Sequence, residues 1–165
     1  MMNFYTSCKL CPRNCGVNRL SGETGFCGET AALRIGAAVI HFGEEPPLVG
    51  FGGSGTIFIS GCNLGCSFCQ NYQISQGSPS LGSEVSSEKF AEICAALRDK
   101  GAENINIVTG SHAIPAIAEG FIAAKNAGVK IPALWNSSGY ENTEALELLR
   151  DHIDIYLPDL KTLDS

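Results

Sequence analysis

The chain has 165 residues, of which 44% are hydrophobic, and its formal net charge is −6. This length suits one domain of ordinary size. Its sequence contains no basic stripe and no run of about 20 apolar residues, which excludes nucleic acid and the membrane as main partners. The N-terminus has no signal-peptide pattern, so we expect a cytoplasmic protein whose cysteines bind metal instead of forming disulfides.

The first feature in chain order is the N-terminal cysteine segment, residues 8–27, with Cys8, Cys11, Cys15 and Cys27. It is short, polar and rich in glycine, so it buries too little apolar surface to be stable without a cross-link. Four thiolates complete either a tetrahedral zinc site or a closed [4Fe–4S] cluster. The spacing does not decide between zinc and iron–sulfur. The alternative to a metal site is a loop of unliganded thiols.

One or two strands are predicted within residues 31–42, and Pro46 and Pro47 end them because proline cannot donate to a sheet. His41 lies in this stretch and receives no functional role. Residues 50–55 spell G-x-G-x-x-G, the pattern of dinucleotide-binding loops. They open a strand, whereas that motif must follow a strand and open a helix. We therefore interpret them as a flexible connector.

The strand predicted at residues 56–60 leads into the cysteine loop, residues 62–69, with Cys62, Cys66 and Cys69 in the spacing C-x3-C-x-F-C. Three thiolates hold three irons of a [4Fe–4S] cube and leave one iron open, as a catalytic metal requires. The alternatives are a disulfide, which a reducing compartment disfavours, and zinc, which prefers a fourth ligand and C-x2-C pairs.

Beyond the cysteine loop, residues 73–83 are predicted to form a loop because they combine polar side chains with glycine and proline. A helix capped by Ser86 or Ser87 then runs to Gly101. Cys94 lies beside the apolar face of this helix, and we expect it to be a buried thiol without a metal.

Three further strands are predicted at residues 105–109, 131–136 and 153–157, separated by helices that begin near Pro115 and Thr143. This alternation is typical of α/β folds with parallel strands, in which ligands bind at the carboxyl ends of the strands. The predicted fold is a partial TIM-like parallel (β/α) barrel that follows a small Cys-rich N-terminal segment.

The cysteine loop, the Cys-Gln-Asn sequence at its end and the Tyr-Leu-Pro-Asp-Leu-Lys sequence near residue 160 resemble the radical S-adenosylmethionine (SAM) enzymes. In detail they are similar to the PflX-type branch, related to pyruvate formate-lyase activating enzyme. The resemblance implies a catalytic [4Fe–4S] cluster on Cys62, Cys66 and Cys69, and reductive cleavage of SAM to a 5′-deoxyadenosyl radical. It also implies an electron donor such as flavodoxin or ferredoxin, and a glycyl radical enzyme or another substrate to be activated.

The resemblance further implies which residues contact SAM, through its adenine, amino group, ribose and carboxylate. The residues at those positions are Phe68, Thr109, His112, Asn136, Ser138, Asp159 and Lys161. The sequence from Thr109 departs from the Gly-Gly-Glu motif that relatives carry there. His112 is also a candidate proton donor or acceptor near the radical, and the cap of the next helix is its alternative role.

Two units are predicted: residues 1–50 as the metal-binding segment with short strands, and residues 51–165 as the radical SAM core. Four β/α strands make about half of a full barrel, so we expect a fragment, or a chain that needs a partner to complete the sheet. An iron–sulfur electron carrier without SAM and a zinc-stabilised interaction protein are the competing functions. The open iron disfavours the carrier, which gains nothing from a missing ligand.

Overall fold

The computed structural model describes residues 3–76 and 81–161, and these residues form one six-stranded sheet. Its strands are β1 (Leu33–His41), β2 (Ser54–Ile59), β3 (Ser83–Val85), β4 (Asn104–Val108), β5 (Ala133–Ser137) and β6 (Ile155–Pro158). The sheet order is β3-β1-β2-β4-β5-β6. The pairs from β2 to β6 are parallel, and β1 is antiparallel to both β2 and β3. The predicted α/β class is therefore confirmed, and the parallel part is consistent with a partial TIM-like barrel.

The chain also forms helices, and the two longest lie between parallel strands and pack on one face of the sheet. The helices are α1 (Asn3–Thr6), α2 (Pro46–Val49), α3 (Tyr72–Ser75), α4 (Ser87–Asp99), α5 (Ile114–Asn126) and α6 (Thr143–Leu146), with 3-10 turns at Arg19–Ser21, Ser111–Ala113 and Glu147–Leu149. Within the described ranges, no helix has both the length and the apolar character needed to cross a membrane.

The core lies between the sheet and the two long helices. Side chains alternate along β4, so Ile105 and Ile107 join the apolar core while Asn106 belongs to the opposite, polar face. From the helix side, Phe90 of α4 packs edge-on against Phe121 of α5, with ring centroids 5.3 Å apart. This packing fixes the two helices on the sheet and leaves the polar face free to border a site.

The N-terminal cysteine segment is attached to this core. Tyr5, Cys8 and Leu10 belong to the same buried apolar cluster as the sheet residues. Asn142, which precedes α6, donates its backbone N–H to Leu10 O at 3.0 Å and its side-chain amide to Lys9 O at 2.8 Å. The division of the chain at residue 50 stays a prediction.

Two stretches differ from the sequence-based expectation. The predicted loop at residues 73–83 contains most of α3 and the first residue of β3. The glycine-rich connector is held in place, because the Glu103 carboxylate accepts the backbone N–H groups of Phe51 and Gly52 at 3.2 and 3.1 Å. Neither feature is indicated by a local sequence pattern, since both depend on residues distant in the chain.

Candidate active site

A cavity of about 530 Å³ opens at the carboxyl ends of the parallel strands. Phe58 of β2, Val108 of β4 and Asn136 of β5 line it, and these residues are register partners across the sheet. The cavity is therefore where parallel β/α folds bind their ligands.

The cysteine loop forms one side of this cavity, and the thiols of Cys62, Cys66 and Cys69 all line it. Each of the three is partly exposed. Partial burial raises the pKa of the Cys66 thiol, and the charges of Cys62 and Cys69 raise it further. The Cys69 thiol also lies 3.3 Å from the Ser75 hydroxyl of α3.

The donor set of the cysteine loop suits a [4Fe–4S] cube. In the described part of the chain, no three His, Cys, Asp or Glu side chains are arranged to hold one metal ion. A [4Fe–4S] cube does not need such convergence, because each thiolate binds a different iron. Three partly exposed thiols on one wide cavity meet that requirement.

Nine of the ten residues predicted for the cluster and SAM line this cavity. They are Cys62, Cys66, Phe68, Cys69, Thr109, Asn136, Ser138, Asp159 and Lys161. Asn136 donates its amide to the Glu44 carboxylate at 3.3 Å, and Asp159 forms an ion pair with Lys161. Strand ends that are distant in sequence thus bring the predicted side chains to one place.

His112 is the predicted residue that does not line this cavity. It is 2% exposed, and its Nε2 donates to Ser60 O at 2.7 Å. Burial, together with the Arg19 charge, lowers the pKa of His112 to about 4, so its ring is neutral at neutral pH. The alternative role as a helix cap is also not observed, because no side chain caps α5.

Thr109 has an unusual backbone conformation, with φ at +64°. A β-branched residue pays a steric cost in this left-handed region, because its Cβ crowds the neighbouring carbonyl. Strain of this kind is concentrated at functional sites. The position is also the one where the resemblance implies a glycine-rich motif.

Several residues that border the site were missed. The Gln76 amide, just after α3, donates to Cys66 O at 2.8 Å and so ties down the cysteine loop. Ser111 lines the cavity and donates to the Glu141 carboxylate at 2.6 Å. Ser111 lies between two predicted residues and could therefore have been identified from the sequence, whereas Gln76 belongs to no motif.

The four cysteines of the N-terminal segment surround a second, much smaller cavity of about 10 Å³. Cys8, Cys11 and Cys27 are buried, and Cys15 is exposed. The side chain of Arg19 is buried beside them and donates to Cys27 Sγ at 2.7 Å. The predicted four-cysteine set is thus brought together around one small space.

Comparison with known proteins assigns the larger part of the chain to a family. The Radical SAM superfamily profile matches residues 56–165. The chain is also 35% identical over 167 aligned residues to "Uncharacterized protein MJ0674" of Methanocaldococcus jannaschii, an alignment that covers 96% of this chain and 46% of that protein. The chain therefore spans about half the length of this curated relative. No solved structure matches the chain.

Proposed function

Because the chain belongs to the Radical SAM superfamily, we propose that it is a radical SAM enzyme whose [4Fe–4S] cluster is held by Cys62, Cys66 and Cys69. When bound, the cluster supplies the electron that cleaves SAM reductively and gives a 5′-deoxyadenosyl radical. The observation that carries this proposal is the meeting of the three thiols on one cavity at the carboxyl ends of parallel strands.

The other residues of the cavity match the chemical groups of SAM. Lys161 is suited to the carboxylate of SAM, once its ammonium leaves Asp159. Asn136 and Ser138 offer an amide and a hydroxyl to the ribose. Phe68, whose ring is 64% exposed, offers a face on which adenine stacks. These contacts would orient the sulfonium toward the cluster.

Apolar side chains of the cavity would keep water away from the reacting atoms. Phe58, Ile59, Val108 and Leu160 line the same space as the three thiols. A dry site protects a reactive radical from side reactions. We give His112 a positioning role, because its bond to Ser60 O fixes the chain two residues before Cys62.

The narrower assignment is also a proposal. The sequence after the cysteine loop and the Asp-Leu-Lys sequence that follows β6 support a PflX-type protein, related to pyruvate formate-lyase activating enzyme. On that assignment the substrate is a glycyl radical enzyme or another substrate, the electron donor is a flavodoxin or ferredoxin, and the protein works in the cytoplasm. The proposal includes a second metal at Cys8, Cys11, Cys15 and Cys27, either zinc or iron–sulfur.

Anaerobic reconstitution with iron and sulfide tests the proposal. The protein is expected to bind about four irons at the cysteine loop and to form 5′-deoxyadenosine when SAM and dithionite are added. Cys66→Ala is expected to abolish that product. Cys94→Ala is the matched control, because Cys94 is buried in α4 and burial raises its pKa to about 12, which keeps the thiol protonated. Undiminished product from the Cys66→Ala protein would refute the assignment.

A further inference from the structure

The small cavity of the N-terminal cysteine segment is built from tight turns. Cys8 and Gly16 close one turn, with the Gly16 N–H donating to Cys8 O at 3.0 Å, and the Asn14 N–H donates to Cys11 O at the same distance. Gly25 lies against Cys15, where a Cβ would stand 2.6 Å from the sulfur. A side chain at this position would therefore displace the Cys15 sulfur.

As the side chains stand, the size of this cavity favours a single metal ion over an iron–sulfur cube. Its volume of about 10 Å³ is that of a single water-sized sphere. A [4Fe–4S] cube has eight atoms and needs many times that space. A single ion needs far less space than a cube, and zinc is the usual ion in a closed four-cysteine site.

Two buried polar atoms without a partner among the described residues belong to side chains that line this cavity. They are Arg19 Nε and His112 Nδ1. Arg19 is 3% exposed, and its other nitrogens donate to Cys27 Sγ and to His112 O, both at 2.7 Å. Four thiolates around a divalent ion carry a net charge of −2, and a buried guanidinium beside one of them offsets part of that charge.

The thiols do not converge on one point as the side chains stand, within the described residues. They already line one cavity, however, and a change of rotamer moves a cysteine sulfur between staggered positions without moving the backbone. We expect a bound ion to draw the thiols together by rotation of these side chains.

The same segment contacts the cysteine loop through Arg13, which lies between Cys11 and Cys15. Its Nε donates to Asn63 O at 2.9 Å, and its Nη2 donates to Leu64 O at 3.0 Å. The guanidinium stacks on Phe26, 3.5 Å from the ring centroid, and Phe26 directly precedes Cys27.

Phe26 also touches the cysteine loop directly. Gly65, with φ at +74°, faces its ring, and a Cβ there would stand 3.0 Å from the ring edge. Two residues of the N-terminal cysteine segment, Arg13 and Phe26, therefore reach the backbone between Cys62 and Cys66. We call this contact the Arg13–Phe26 clasp.

We propose that Cys8, Cys11, Cys15 and Cys27 bind a single zinc ion, and that this ion holds the Arg13–Phe26 clasp on the cysteine loop. The first half is independent of the radical SAM chemistry, and the second half rests on the proposed function. Arg13 is a positioning residue, because it touches backbone carbonyls of the loop and none of the reacting atoms. The zinc ion in the N-terminal cysteine segment then determines how tightly the cysteine loop binds its cluster.

Element analysis of the anaerobically purified protein tests the first half. We expect about one zinc per chain in addition to the iron. Cys27→Ser is expected to lose the zinc, and Cys62→Ala is expected to lose the iron while keeping the zinc. Cys15→His covers the case that Cys27→Ser fails to fold: Cys15 is exposed, and three cysteines with one histidine still bind zinc but rarely a cube. A protein with about eight irons and no zinc would overturn the single-ion assignment.

The second half of the proposal, that zinc holds the clasp on the cysteine loop, is tested by the stability of the cluster and not by enzyme activity. Arg13→Met keeps the stacking length of the side chain but cannot donate to Asn63 O and Leu64 O. It is expected to retain zinc and to lose cluster absorbance to a chelator about tenfold faster than the wild type. If Arg13→Met and Cys27→Ser both lost cluster absorbance at the wild-type rate, the clasp would have no effect on how the loop holds its cluster. If no variant ever takes up iron while zinc stays bound, the radical SAM proposal fails and the zinc site stands.

Discussion

The two cysteine sets of this chain differ in access. The cysteine loop presents three partly exposed thiols to a cavity of about 530 Å³, whereas the N-terminal segment surrounds about 10 Å³ with three buried thiols and one exposed thiol. The ligand atom is the same in both. The difference follows the general division between metal sites: a closed ligand set serves structure, and an open position serves chemistry.

The two regions also differ in how they are held. Turns within the N-terminal segment fix its own thiols, as in the bond from the Gly16 N–H to Cys8 O. The cysteine loop depends on distant residues, namely Arg13, Gln76 and Tyr140, whose carbonyl accepts from Asn63 at 2.7 Å. A loop held from several sides can keep an exact shape without filling its own interior, which leaves room for SAM.

The largest expected effect comes from emptying the closed site. A structural zinc ion contributes about 10 kcal/mol to folding in small peptides, and we expect roughly a third of that here, because the sheet has its own core. Removing zinc with a strong chelator should then lower the melting temperature by roughly 10 °C. The measurement is a thermal melt of the Cys66→Ala protein, which lacks the cluster, with and without the chelator. An unchanged melting temperature would show that the closed site does not stabilise the fold.

The next effect concerns His112, which links the two regions through Arg19 and Ser60. Its folded pKa of about 4 lies below the unfolded value near 6.5, so the unfolded chain binds the extra proton first as the pH falls. Stability from the neutral ring is complete above pH 6.5 and decreases as the pH falls toward 4. Between pH 7 and pH 5 the free energy of unfolding should drop by about 2 kcal/mol.

Urea titrations at several pH values measure this drop. His112→Gln is the matched variant, since its amide is able to donate to Ser60 O but does not titrate. The wild type should lose more stability than His112→Gln over this pH range. Parallel curves for the two proteins would contradict the buried, neutral histidine.

Local patterns predicted much of this fold. The Ser86 hydroxyl caps α4 by accepting the Lys89 N–H at 3.2 Å, as the capping preference predicts. Residues 105–109 were predicted as a strand, and β4 lies at Asn104–Val108. The position of the cavity followed from one rule, that parallel strands present their carboxyl ends on the same edge. These features depend on residues a few positions apart, which a sequence displays directly.

Features made by long-range contacts were not predictable in this way. Arg13 is 50 residues from the carbonyl it binds, and His112 is 52 residues from its partner Ser60. His112 is a polar residue of the kind that often lines a site. In the structure it is instead buried in the core beside Arg19. The helix α3 is only four residues long and shows no periodicity, yet it brings Ser75 to Cys69.

The smallest expected effect compares backbone strain in the two regions. In the described part of the chain, each region has one non-glycine residue with positive φ: Asn14 at 43° in the N-terminal segment and Thr109 at 64° at the open cavity. Asparagine adopts this conformation readily, and its side chain bonds to Pro12 and Asn142. Threonine does not, because its branched Cβ crowds the backbone.

Thr109→Gly is therefore expected to raise the free energy of unfolding by about 1 kcal/mol, while Thr109→Ala, which keeps the Cβ, should gain less than half of that. Asn14→Gly should gain nothing, since it loses two side-chain hydrogen bonds and relieves little strain. Urea denaturation of the three variants beside the wild type measures all of these differences. Equal stability of Thr109→Gly and Thr109→Ala would mean that residue 109 stores no strain. A gain confined to Thr109→Gly would place the strained backbone at the open cavity, where glycine would relieve it at the expense of a side chain that borders the proposed SAM site.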